Sequence, residues 1–99
     1  MSKKEAYKQK IEAEVELAQA KLAELKAQAK IATADARIKY ARQIGELEQN
    51  IDAAKAKLKE LGEAGENAWE HLKGGVESVL GALSAAFRDT AAKLKKGHD

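Results

Sequence analysis

The residues with the strongest claim to chemistry are two histidines, His71 and His98, and four glutamates, Glu12, Glu14, Glu16 and Glu24. A histidine binds metal or shuttles protons when a second ligand or an orienting partner stands at a set spacing from it. Neither histidine has one. A carboxylate-bridged metal pair in a helical bundle needs Glu-x-x-His, and the residues three before the histidines are Ala68 and Lys95. H-E-x-x-H, a glycine-rich phosphate loop and cysteine are all missing. The glutamates lie on what reads as helix, where residues two apart diverge by about 200°, so they form a solvated flank. Calcium would need a loop of oxygen ligands, which a regular helix does not offer. Lys55, Lys57 and Lys59 diverge in the same way, as a solvated collar. The expectation is a non-enzyme with no catalytic residue, no metal and no cofactor, and with His71 on the surface.

With no reacting group to position, the elements must be organised around something else. The 99 residues make one domain, 1–99. About one-fifth of them are alanine, four are aromatic and none is proline, the composition of long helices or coiled coils. Acids and bases are interleaved to a net charge of +2, without the one-sided basic charge of a nucleic-acid binder, so no nucleic-acid partner is expected. The lack of cysteine is compatible with a reducing compartment. Met1-Ser2-Lys3-Lys4-Glu5 opens no apolar signal segment, and no apolar run approaches the ~20 residues of a membrane span. A cytoplasmic location is expected.

The fold class expected is all-α. The chain from Ser2 to Leu61 has one glycine, Gly45, and apolar residues at helical spacing. Ser2 and Glu5 fit a capping box. A seam of alternating four- and three-residue steps runs through Ile11, Val15, Ala18, Leu22, Leu25, Ala29, Ala32 and Ala36. A second seam holds Tyr40, Ile44, Leu47, Ile51, Ala54, Leu58 and Leu61. Between them Ala36, Tyr40 and Ile44 take two four-residue steps, a stutter that unwinds a supercoil locally. The preferred expectation is one long helix (about 2–61) with an antiparallel returning helix (about 66–96), a helical hairpin or coiled coil. The alternative is a three-helix bundle with a break near residue 33. Thr33 or Asp35 could cap a new helix there, but neither has Glu or Gln three residues on, and no Gly or Pro marks a turn.

Gly62 suits the left-handed position after a helix end, and Asn67 with Glu70 can restart the chain. On the returning helix Trp69, Leu72, Val76, Val79, Leu80, Leu83, Phe87 and Leu94 share one face, with Trp69 as its largest anchor. Its back carries small residues, Gly74, Ser78, Gly81, Ala85 and Ala92. Lys93, Lys95 and Lys96 complement the helix dipole at the end, and Gly97 stops it. The expected hairpin core is Tyr40, Ile44, Leu47, Ile51, Leu58, Trp69, Leu72, Val76, Leu80, Leu83 and Phe87. A further stripe, Ala13, Leu17, Ala20, Ala27, Ile31, Ala34, Ile38 and Ala41, lies away from the first seam and suggests a second neighbour.

From Ala34 onward, Ala-Asp-Ala-Arg-Ile-Lys-Tyr-Ala-Arg-Gln-Ile, then Lys-Leu-Lys-Glu-Leu, then Ala-Trp-Glu-His-Leu-Lys-Gly-Gly-Val-Glu resembles a group of small bacterial coiled-coil stress-response proteins. The likeness covers most of the chain and is clearest around Trp69, Leu72 and Lys73. It implies a bacterial, cytoplasmic helical protein with a role linked to stress, and no catalytic residue. Where some members carry a second tryptophan, this chain has Val79 or Leu80.

If the returning helix covers only Tyr40–Leu61, the first seam is left in water, forfeiting ~1.5 kcal/mol or more per large side chain. The partner expected is therefore the chain itself, as a homo-oligomer up to a higher bundle or filament. Its association residues would be Ile11, Val15, Leu17, Leu22, Leu25, Ile31 and Ile38. Two other functions fit less well. One is reversible binding to a lipid or granule surface through the Trp69–Leu94 face, opposed by Glu66, Glu70, Glu77 and Asp89. The other is a stress-protective helix that folds only on drying or contact, opposed by 44% hydrophobic residues.

Overall fold

Ser2 starts the first helix as expected. Its hydroxyl accepts from the Glu5 N–H at 3.1 Å, supplying one of the orphan donors a helix start leaves. In the computed structural model, which describes residues 2–96 and side chains as far as residue 94, helix α1 (Lys3–Lys30) then ends well short of residue 61. Helix α2 (Ala34–Glu63) runs back along it. A single 3-10 turn at Trp69–Leu72 leads into helix α3 (Lys73–Lys96), which returns in the direction of α1. The fold is all-α, in the three-helix form of the two arrangements the sequence allows.

The continuous 2–61 helix is thereby corrected. The break is a three-residue turn, Ile31–Thr33, built without glycine or proline. The last turn of α1 tightens, with Ile31 N–H donating to Gln28 C=O and Ala32 N–H to Ala29 C=O, both at 3.3 Å. Thr33 caps α2 by accepting from Ala36 N–H at 3.3 Å. Arg37, one turn into α2, reaches back and donates to the carbonyls of Lys30 at 2.7 Å and Ala32 at 3.2 Å. Those are carbonyls that a helix end leaves without intrahelical donors. The phase slip between the two seams is thus a chain reversal rather than a stutter. Reversal lets each seam cover the other.

The second junction also differs from expectation. Gly62 lies inside α2, and no described residue has a positive φ; the cap is Ala64, in extended conformation at φ −70°, ψ 143°. No left-handed glycine is needed because Lys4 of α1 donates to the carbonyls of Gly62 and Ala64. Each of the first two helices has its C-terminal carbonyls met by a cation from another helix. The chain restarts at Trp69, whose N–H donates to Gly65 C=O at 3.2 Å. Gly97 and His98 fall outside the described residues.

Helix α2 is the middle member and packs against both α1 and α3. The rod measures 51 × 19 × 15 Å. Its core runs the full length: Ile11, Val15, Ala18 and Leu22 from α1, Leu47, Ile51, Ala54 and Leu61 from α2, Trp69 from the 3-10 turn, and Val76 and Leu83 from α3. Ion pairs decorate the outside. Lys26–Glu48 ties α1 to α2 at 3.8 Å; Lys8–Glu12, Lys57–Glu60 and Lys93–Asp89 lie within single helices and add a few tenths of a kcal/mol at most.

Candidate functional site

The expected association residues divide into two sets. Ile11, Val15 and Leu22 are buried, and Leu25 is half-buried against the same core. Their assignment to another copy is corrected: α2 and α3 of the same chain shelter them, because the break at residue 31 doubles the helical surface available inside one molecule. Leu17, Ile31 and Ile38 face out, at 63%, 86% and 67% exposure. Around them Ala13, Ala20, Ala27, Ala34 and Ala41 are exposed too. The outer stripe read from the sequence is therefore present and lacks an intramolecular neighbour.

The hairpin core assembles largely as expected. Leu47, Ile51, Trp69, Val76 and Leu83 are buried, and Ile44, Leu58, Leu72, Leu80 and Phe87 pack half-buried on them. Tyr40 is half-buried at the margin of this cluster. Two core members are polar and were not expected. Thr90 donates its hydroxyl to the Gln43 side-chain oxygen at 3.1 Å, with both residues nearly inaccessible. Gln43 sits one turn before Leu47, in line with Ile51 and Ala54, so its register carried the signal; its residue type hid it.

At one end of the bundle α1 meets the 3-10 turn and the start of α3. There Tyr7 and Trp69 stack with ring centroids 5.7 Å apart. Lys73 Nζ lies 4.4 Å from the Trp69 ring centre and 5.4 Å from that of Tyr7, within cation–π range. The Tyr7 hydroxyl is buried and makes no hydrogen bond among the described residues. Burial pushes its phenol above the ordinary range, and the nearby Glu77 and Glu14 carboxylates add to the shift.

Toward the other end the two helices stand apart and leave a groove of about 780 Å³. Leu17, Ala18 and Leu25 form one wall, and Leu80, Leu83 and Phe87 the other. Glu14, Lys21, Glu24 and Arg88 stand along its edges. Lys21 crosses part of it, its Nζ 5.8 Å from the Phe87 ring centre. Gly81 lies on the α3 side, and a side chain there would meet nothing within 4 Å.

The described residues contain no group of three or more His, Cys, Asp or Glu side chains placed to hold a metal ion. His71 is exposed. The α3 face considered for a lipid surface is turned largely inward, with Trp69, Val76 and Leu83 at 5%, 1% and 4% exposure, and Leu80 and Phe87 of that face open onto the groove. Among the described residues no helix is long and apolar enough to cross a membrane. Comparison with known proteins returns no matching family model, no matching curated protein and no matching solved structure.

Proposed function

We propose that this chain is a non-enzymatic helical protein that works by associating with copies of itself, in a structural or assembly role. The observation that carries the reading is the unsheltered outer stripe. Leu17, Ile31 and Ile38 are the large aliphatic side chains that the fold leaves mostly in water among the described residues. Fully covering a side chain of this kind is worth ~1.5–3 kcal/mol. Exposed Ala13, Ala20 and Ala27 accompany Leu17 and Ile31 at the α1 side, and exposed Ala34 and Ala41 accompany Ile38 on α2; apolar surface gathered on helix exteriors in this way marks interaction sites. The cytoplasmic setting and the link to bacterial stress belong to the same proposal and rest on the resemblance and the composition.

Sedimentation velocity over a concentration series tests it. The expected result is a species larger than 10.7 kDa that grows with concentration. Substituting Leu17, Ile31 and Ile38 together with lysine should shift it back to monomer. A monomer throughout the series, with the native sequence, removes the proposal.

A further inference from the structure

Of the surfaces this fold leaves open, the α1–α3 groove is the one whose charges say what fits it. We infer that the groove is one self-association site, apart from the exposed Ile31 and Ile38, and that its occupant is the same groove of a second copy, related by a twofold axis parallel to the helices. This deepens the proposed function and rests on it.

Three observations carry the inference. First, the groove is apolar within and charged at its lips, the layout of an interface core and its rim. Leu17, the one exposed stripe residue that also lines the groove, links the two surfaces. Second, the lips are self-complementary. A twofold axis along the helices sets α1 of one copy opposite α3 of the other, and the reverse. The α1 lip carries Glu14 and Glu24, and the α3 lip carries Arg88, joined there by the ammonium of Lys21, which reaches from α1 across to the Phe87 ring. Lys21 reaches across to the Phe87 ring, so the two residues lie within a lysine side chain's length of one level, and α1 and α3 run the same way. At 1.5 Å per residue Glu24 and Arg88 then fall within about two helical turns of one height. Each Glu24 faces an Arg88 of the second copy, twice per dimer. Among the described residues neither makes an ion pair within its own chain. Third, the long face, 51 Å by 19 Å, is large enough for the ~800 Å² per partner of a standard interface. Gly81 and Ser84 on the α3 side leave room for a close approach.

The test uses the full chain. Glu24→Arg and Arg88→Glu, made singly, place like charges opposite one another and should each raise the dimer dissociation constant about tenfold or more by sedimentation equilibrium. Combined in one chain they restore the pairing, and the constant should return to within about threefold of the native value. Gly81→Arg should abolish the dimer while leaving helical circular dichroism and the melting curve of the monomer intact, since the site is open and arginine favours helix over glycine. If the native chain self-associates and all three substitutions leave its constant unchanged, the groove assignment is overturned while self-association stands. If the native chain is monomeric at every concentration, both fall together. A monomer that binds oleate, with Gly81→Arg abolishing that binding, assigns the groove to an acyl chain and overturns the inference.

Discussion

Among the described residues Gln43 and Thr90 set the one buried side-chain hydrogen bond inside an apolar core. A buried acceptor left without a donor costs ~1–3 kcal/mol. Thr90→Val removes the donor but hardly changes shape, so it should destabilise the bundle by about that amount in chemical denaturation. Adding Gln43→Leu should recover most of the loss, because both polar groups are then gone. Tyr7 gives a contrasting case. Its hydroxyl is buried without a hydrogen bond of good geometry among the described residues, beside the Glu77 carboxylate that helps raise its phenol, so Tyr7→Phe should change stability little at pH 7. The raised phenol also couples folding to alkaline pH. A phenol that holds its proton more tightly when folded contributes stability below the unfolded pKa, about 10. That contribution is lost as pH rises through the folded value. The native chain should therefore melt earlier than Tyr7→Phe above about pH 10, and thermal melts of both proteins between neutral and alkaline pH check it.

At the level of helices the decisive junction is Ile31–Thr33. Its caps come from a threonine and an arginine, neither of which announces a turn in the way glycine or proline does. Ala36 and Ile38 stand three positions after Thr33 and Asp35, so neither cap has the acidic or amide partner of a capping box. Arg37 serves a different end: it covers the carbonyls behind the turn rather than the N–H groups ahead of it. Its charge-assisted bonds are worth more than neutral ones, even at an exposed site. Arg37→Ala should lower stability by about 1 kcal/mol, whereas Arg37→Lys, a point cation without the fork, should recover part of that. Urea unfolding of the three proteins at one pH checks the order. At the other junction Gly62 has the residue type that suits the position after a helix end, yet it lies inside α2, and Lys4 supplies what a left-handed glycine would have supplied.

For the molecule as a whole, burial of the α1 seam inside one chain removes the original reason for expecting an oligomer. What is left is smaller and differently placed: three exposed aliphatic side chains and a groove where α1 and α3 part. Association through them should be weak enough to depend on concentration in the accessible range. Because a partner that binds only the folded chain stabilises it by mass action, the melting temperature should rise with protein concentration alongside the sedimentation shift. A concentration-independent melt with concentration-independent sedimentation would leave the bundle complete as a monomer.

Periodicity alone was sufficient for the helical class, for both apolar seams, for the outer stripe and for nearly all of the core, because helix repeat and burial are imposed locally, residue by residue. Ile11, Val15, Leu47 and Leu83, each at a seam position, all lie in one buried cluster. Whether the first two seams faced a second copy or one another was a question of where the chain reverses. That depended on Lys4 and Arg37 reaching carbonyls on neighbouring helices, and on the area gained when α1 folds onto α2. Such terms exist only after the helices have come together. The gap between α1 and α3 is of the same kind: it follows from the way two helices lean on a third, and no spacing of residues along one strand of sequence contains it.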